Sequence, residues 1–506
     1  MLFISNYPLL FNLRGNQRTS GELSRKEGGK IFGSGSRTPI SITILVRKPN
    51  HTRNATIHYE AVADYLSREE KLALVSERGS MLSDKMSLSS IAPNEAGDWI
   101  NQRDGLFETF IPLGDKESKS EKTFFVPLYS CGIQTNRDTW AYNFSATLER
   151  RNARFMVETY KDQVEAFSKA FALDRNLKVE DFVLKDEAKI KWSSSLLPQV
   201  SKGHKAAYSD SFIVESMYRP FCKQHLYNDS LFIHRPYQIP RLFPTPQSKN
   251  LVICISGVGV TKEFSCIMVD TIPDLELIGK SQCFPLYWYE KNERDALSLF
   301  DSCDDDYTRH SGVTDFILQR AREEFEPKVT AEDVFYYVYG LLHSEEYRKR
   351  FSSDLKKSLA RIPLVASTQD FKAFVKAGRK LADLHLNYET GPLCQQLIIT
   401  GDKPSKLRVT KMRFPSKEDK GTILYNDSVK IENIPMAAYD YVVNGKSAIE
   451  WVMERYAVTT NADSGIVNDP NLWCDNPRYI LDLVSRVIQM SVETQKIVAS
   501  LPKLEF

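Results

Sequence analysis

Apolar side chains in this chain come in short runs and helical stripes, separated by long polar stretches. Leu10, Phe11 and Leu13 read as one strand, and Ile40, Ile42, Ile44, Leu45 and Val46 as a second. A short strand is expected around Ala55–Tyr59. The S-x-x-E spacing at Ser67–Glu70 predicts a capping box opening a helix through about Glu77. Residues 80–122 are polar and irregular, with ESKSEK (117–122) as an exposed loop. Phe124–Tyr129 reads as an apolar strand, and Gly132 marks a turn. Phe155, Met156, Tyr160, Val164, Phe167 and Phe171 recur near helical spacing, which predicts an amphipathic helix over 149–172.

A Lys-, Ser- and Gly-rich stretch between Lys185 and Lys205 suggests a boundary. Beyond it, proline keeps the Arg- and aromatic-rich segments 218–229 and 234–247 extended. Residues 251–256, LVICIS, predict a buried strand; Phe264–Val269 and Cys283–Tyr289 are further strands. Gly257 and Gly259 lie in GVGVTK, which lacks the third glycine of GxGxxG and the GK[ST] of a P-loop, so a turn is expected. Asp301–Asp306 reads as an acidic linker. Thr330 is expected to cap one helix and Ser344 a second that runs to Pro363; a third spans Asp370–Leu386. KLRVTKMRF (406–414) alternates like a strand, and TILYND and VKIENIP continue it antiparallel. A capping box at Ser447–Glu450 opens a helix through Tyr456, and a last helix covers about Arg478–Ser500.

The 506 residues allow two to four domains, and 42% hydrophobic with 26% charged side chains is ordinary for a globular protein. The net charge of +2 gives no global signal for nucleic acid. Residues 1–60, however, hold nine Lys/Arg against three Asp/Glu. No apolar run reaches the roughly 18 residues of a membrane helix, and MLFISNYPLLF lacks the basic region and cleavage site of a signal peptide. The chain is expected to begin inside a domain and to work in the cytoplasm, with no membrane contact. The eight cysteines contain no CxxC and read as reduced thiols. Cys222 and His225 have metal-ligand spacing without a second pair, so no zinc site is expected.

Between the first two strands lie 26 residues, Arg14–Pro39, rich in glycine and carrying Arg14, Arg18, Arg25, Lys26, Lys30 and Arg37 against Glu22 and Glu27. Arginine suits phosphate and base edges, and glycine lets backbone approach a ligand. The stretch is a DNA-touching loop or a mobile, solubilising one. Asn136 and Arg137 form a polar cluster with Thr135 and Asp138. That cluster reads base edges or forms a helix N-terminus capped by Thr135 or Asp138. Lys406, Arg408, Lys411 and Arg413 track phosphates or guard a strand edge against aggregation.

LRGNQRTSGE and KEGGKIFGSGSRTPI resemble the last strands of the catalytic domain of N6-adenine DNA methyltransferases, and more narrowly of type ISP restriction-modification enzymes. VFYYVYGLLHSEEYRKRFSSDLKKSLARIPLV, YDYVVNGKSAIEWVMERY, SGIVNDPNLW and MSVETQKIVASLP resemble the C-terminal specificity domain of the same enzymes, and GIQTNRDTWAYN the junction between the two. The resemblance implies a mixed α/β (α+β) chain. Residues 1–78 would hold the terminal strands of a Rossmann-like methyltransferase sheet, 79–195 a junction with an amphipathic helix, and 196–506 an α+β target-recognition domain. It also implies double-stranded DNA as partner, with contacts from Arg14, Arg18, Arg25, Lys26, Arg37, Asn136, Arg137, Arg219, Arg241, Lys406, Arg408, Lys411 and Arg413.

Such a methyltransferase needs a glycine loop for S-adenosyl-L-methionine and an Asp/Asn-Pro-Pro-Tyr/Phe tetrapeptide for the flipped adenine. Neither is in the sequence; Asn468-Asp469-Pro470-Asn471 has one proline and reads as a turn. No P-loop or PD…ExK nuclease constellation is found. The chain alone is therefore expected to be inactive and to hold no cofactor, with S-adenosyl-L-methionine and Mg-ATP belonging to the intact parent enzyme. Three readings stay open: the reading head of such an enzyme, the specificity subunit of a split methyltransferase whose catalytic half is supplied in cis or in trans, and a remnant that binds no DNA.

Overall fold

A computed structural model describes residues 7–19, 21–33, 35–46, 56–117, 120–292 and 306–505. The acidic linker expected at 301–306 lies almost wholly outside the described residues, as do Ala55 and part of ESKSEK. The fold is mixed α/β, with several small sheets among helices. The chain divides into two compact units: residues 1–109 with 259–264 and 349–358, and all the rest.

In the first unit, β1 (Tyr7–Arg14), α1 (Gly21–Glu27), β2 (Ile40–Val46), β3 (Ile57–Ala61), α2 (Arg68–Arg78) and β4 (Ser89–Ile91) follow in order. The sheet runs β2-β1-β3-β4, with β1 antiparallel to β2 and parallel to β3. Alternate residues Leu9, Phe11 and Leu13 are buried with Ile31, Val62 and Met81, against Leu74 and Val75 of α2. The expected capping box is present: Ser67 Oγ accepts from Glu70 N, and the Glu70 carboxylate accepts from Ser67 N.

The second unit begins its main elements with α3 (Asp138–Ala141), β5 (Tyr142–Asn143) and α4 (Ala146–Leu173). It continues with β6 (Ile213–Arg219), β7 (Cys222–Tyr227), β8 (Val252–Ile255), β9 (Cys266–Val269), β10 (Gln282–Pro285), β11 (Tyr287–Lys291) and β12 (Tyr307–Ser311). The expected strand β8 is buried along its length between antiparallel β9 and β10. Gly257 turns the chain where a Cβ would stand 2.4 Å from the Lys280 carbonyl oxygen, and Gly259 takes φ +75°. Cys222 and His225 point to opposite faces of β7: Cys222 enters the core, while the His225 ring lies 4.7 Å from Trp473.

Helices α5 (Ala331–Leu341) and α6 (Glu345–Arg350) follow, then α7 (Thr368–Leu386). Thr330 caps α5 in a capping box with Asp333. α5 and α7 meet backbone to backbone at Gly340 and Gly378; a Cβ on Gly378 would lie 1.9 Å from the Tyr336 carbonyl oxygen. β13 (Ile398–Thr400), β14 (Ile423–Leu424) and β15 (Lys430–Glu432) form the sheet β13-β15-β14. The chain closes with α8 (Ala448–Arg455), the hairpin β16 (Thr459–Thr460) and β17 (Val467–Asn468), and α9 (Tyr479–Ala499). Leu481, Val484, Val487 and Ile488 of α9 join the main core.

Three expectations change. Phe124 and Phe125 are buried, but only Phe125 bridges a neighbour, Val313, so 124–129 is not a strand. The helix begun at Ser344 stops at Arg350; Ser352 and Ser353 follow, residues that compete with the helix for backbone bonds. Arg361 and Ile362 then pair with Pro112 and Ile111. Lys406 ends a 3-10 turn that Leu407 continues with helical angles, and 408–414 make no ladder, with one bridge from Arg413 to Leu424.

Candidate nucleic-acid interface

The basic stretch between β1 and β2 is held rather than slack. The end of α1 would leave carbonyls without partners. Lys71, fully buried in α2, donates from Nζ to the Glu27 carbonyl at 2.6 Å and the Gly29 carbonyl at 2.8 Å. Burial pulls its pKa below the usual lysine range. Gly28 takes φ +68°, where a Cβ would lie 2.1 Å from the Leu66 oxygen; at Gly29 a Cβ would lie 2.3 Å from Arg68 N. Only glycine allows this approach. Nothing in the local sequence marked Lys71; the paired glycines were the one hint that backbone had to come close.

The cations of this stretch separate by role. Arg14, at φ 56° beside a bulge in β1, pairs with Asp64 and lies 3.7 Å from Glu27. Its charge is met inside the unit, so it ties the loop instead of projecting to a ligand. Arg18 and Arg37 are exposed and have no carboxylate partner among the described residues. Gln17 N donates to the Arg37 carbonyl at 3.0 Å, which brings their chain segments together. Arg25 is exposed and Lys26 half-buried, both in the last turn of α1.

At the junction, Arg137 overturns its expected role. It is 1% exposed, and its guanidinium donates to the Lys191 carbonyl at 3.1 Å, to Ser193 Oγ at 2.7 Å and to the Phe232 carbonyl. Burial lowers its pKa to about 10. It is an internal tie between three segments. The residue beside it, Asn136, is exposed at φ 55° with its side chain held by Gln134 at 2.8 Å. A short helix does start here, but Thr135 and Asp138 do not cap it. The residue preceding it is Arg137, and Thr135 Oγ1 donates to the Asp138 carboxylate.

Arg219 is likewise an internal residue. Its guanidinium donates to Asp274 at 2.6 Å, lies 3.5 Å from Asp138, and stacks 3.9 Å from the Tyr218 ring centre. Burial opposes its charge, but Asp274, Tyr218 and Asp138 together hold its pKa above the usual range. Burial pushes the Asp274 carboxyl up to about 7 against the pull of Arg219. Tyr142 donates to Asp274 at 3.1 Å, and burial raises its phenol well above the ordinary value. Arg241 is half-buried with its guanidinium 4.7 Å from the Trp288 ring centre, and Trp288 stacks on His310 at 4.3 Å.

The stretch 406–413 keeps the alternation read from sequence as far as Val409 and then shifts phase, with Thr410 and Lys411 both exposed. Leu407, Val409 and Met412 are buried, while Lys406, Arg408, Lys411 and Arg413 are exposed. Side chains bond five of its backbone groups. Asn471 bonds both the N–H and the carbonyl of Val409, at 2.9 and 2.7 Å; Asn426 donates to the carbonyls of Lys406 and Arg408; Tyr425 donates to that of Leu407. It is not a strand edge, so it does not need guarding against edge pairing. Arg408 pairs with Asp469. Lys406, Lys411 and Arg413 have no carboxylate partner among the described residues.

At the junction opens a pocket of about 300 Å³, lined by Asp138, Tyr142 and Tyr218 on one side and Thr459, Thr460 and Asn461 on another. Val458 N donates to the Thr410 carbonyl at 2.9 Å, which joins the pocket's hairpin to the cationic strip. On its other side Phe144 N donates to Asn468, and Asn143 donates to the Val467 carbonyl, joining the hairpin to the junction. The hairpin that forms one wall of this pocket is thus bonded both to the stretch that carries the cations and to the junction that carries the exposed Asn136.

The family model of the type ISP C-terminal specificity domain matches residues 124–483. A nuclease-deletion mutant of the type ISP restriction-modification enzyme LlaGI, in complex with a DNA substrate mimic, is 40% identical. It superposes with a TM-score of 0.85 over 99% of this chain and 44% of its own. The ATP-dependent type ISP restriction-modification enzyme LlaBIII bound to DNA is 34% identical, with a TM-score of 0.86 over 99% of this chain and 31% of its own. A DrdV–DNA complex is 26% identical, with a TM-score of 0.81 over 99% of this chain and 48% of its own. The chain spans less than half the length of each of these three. No curated protein matches it. The chain belongs to the type ISP restriction-modification family and carries that family's C-terminal specificity domain.

Proposed function

We propose that this chain recognises a specific double-stranded DNA sequence, as the C-terminal part of a type ISP adenine methyltransferase. The carrying observation is the strip of Lys406, Lys411 and Arg413, exposed and without carboxylate partners among the described residues, within the residues matched as a specificity domain and bonded through Thr410 to the hairpin that walls a polar pocket. Three structures similar to this chain are DNA complexes, which supports the same reading. In this reading the strip tracks phosphates. Arg18, Arg25, Lys26 and Arg37 touch the backbone near the modified base, while Asn136 and Arg241 contribute at the target site.

Residues 1–78 then close a Rossmann-like methyltransferase sheet, 79–195 form the junction, and 196–506 read the site. The mixed order of β2-β1-β3, with one antiparallel and one parallel neighbour of β1, supports the first assignment. So does edge strand β2, where Ile44, Leu45 and Val46 are 41%, 51% and 42% exposed. Such an apolar edge suits the catalytic remainder, supplied in cis or in trans. S-adenosyl-L-methionine and Mg-ATP belong to that remainder in this reading, and the whole acts in the cytoplasm. Among the described residues no group of three or more His, Cys, Asp or Glu converges to hold a metal, and no helix is long and apolar enough to cross a membrane.

The test is anisotropy titration of labelled duplex DNA over a range of salt concentrations. Replacing Lys406, Lys411 and Arg413 with alanine should weaken binding to all sequences alike. It should also flatten the log–log salt slope by roughly 0.9 for each phosphate that is no longer neutralised. Unchanged affinity and slope in the folded triple variant would remove the strip from the interface.

A further inference from the structure

The pocket between the junction and the 459–468 hairpin holds one carboxylate in a fixed position. Thr135 and Tyr218 donate to Asp138, the latter at 3.2 Å, and Arg219 stands 3.5 Å away. Arg219 also serves Asp274, so two carboxylates share one guanidinium. Asp274 is the enclosed member, with its side chain 5% exposed, and the Asp138 side chain is 40% exposed at the pocket. Donors from two segments, Thr135 just before it and the adjacent Tyr218 and Arg219 of β6, fix its rotamer, the condition for selective recognition. The opposite wall offers hydroxyls on Thr459 and Thr460, both exposed.

An exposed, fixed carboxylate is a poor neighbour for DNA phosphates. It is a good acceptor for the exocyclic amino group of a base, as in acidic side chains that accept from cytosine N4. We infer that Asp138 reads the amino group of a cytosine or adenine presented to this pocket, with the cations of the 406–413 strip holding the flanking phosphates. The inference rests on the DNA-recognition reading. It adds one named residue and a base class: a base edge bearing an amino donor is accepted, and one bearing a carbonyl acceptor there, guanine or thymine, is rejected.

The test is a binding selection on randomised duplex DNA with the wild-type chain and two variants, each checked for folding by thermal melting. In Asp138→Asn the charge is gone and an amide can also donate. One position of the selected site should be C or A with the wild-type chain. With Asp138→Asn its preference should fall by roughly tenfold to a hundredfold and admit G or T, the other positions being unchanged. Thr460→Val, on the opposite wall, should weaken preference at that same position, and it decides the matter if Asp138→Asn does not fold. A wild-type site with both folded variants selecting the identical sequence overturns the role of Asp138 while leaving DNA recognition intact. Absence of any selected site with the wild-type chain overturns the underlying reading as well.

Discussion

Replacing Arg137 separates an internal tie from a DNA contact. Its guanidinium bonds two backbone carbonyls, of Lys191 and Phe232, and the Ser193 hydroxyl. Arg137→Met keeps much of the stem but strips all three donors. A buried acceptor left without a partner costs about 1–3 kcal/mol. Ser193 keeps a second partner in Ser195, so the loss falls on the two carbonyls, about 2–6 kcal/mol. Part of that returns because a charge no longer has to be buried without a carboxylate beside it. The net expectation is a loss of about 3 kcal/mol. Urea unfolding followed by tryptophan fluorescence measures it, with Trp140 bonded to Glu187 and Trp192 next to Ser193 as nearby reporters. DNA affinity below the unfolding transition should stay within about twofold of the parent. A variant as stable as the parent that loses DNA binding would refute this reasoning and return Arg137 to the interface.

Gly378→Ala should destabilise by about 1–3 kcal/mol or more, because the added carbon meets the Tyr336 carbonyl at 1.9 Å and the two helices must part; denaturant midpoints check it. Glu149, fully buried in the first turn of α4 with neither carboxylate oxygen hydrogen-bonded, has its pKa raised well above 4.5 by burial. A raised folded-state pKa makes an acid costly once pH exceeds its unfolded value, so Glu149→Gln should stabilise the protein at about pH 8 and the gain should shrink as pH falls toward 4.5. Melting both proteins across that range checks the sign; a gain that grew on acidification would contradict it.

Legibility in the sequence followed the range of the forces involved. The capping boxes at Ser67 and Ser447 and the start of α5 at Thr330 lie within three residues of their partners, and the structure has them where the sequence put them. Strand β8 announced itself because every side chain is buried. The stretch 406–414 alternates only as far as Val409, because Thr410 and Lys411 are both exposed. Its missing ladder was invisible: the groups that bond its backbone, Asn426 and Asn471, lie up to 62 residues away. Arg137 and Arg219 looked like DNA contacts because composition counts charge and not its partners. The acceptors of Arg137 lie 54 to 95 residues along the chain, and Asp274 lies 55 from Arg219. The pocket at Asp138 joins residues more than 300 positions apart, which no periodicity reports.

The central claim is that this chain itself reads DNA sequence, and binding selection on randomised duplex DNA at fixed, moderate salt tests it most directly, because non-specific affinity falls steeply with salt. The account predicts enrichment of one asymmetric site by the purified chain. Salt-sensitive binding without enrichment, or no binding at all, would contradict it.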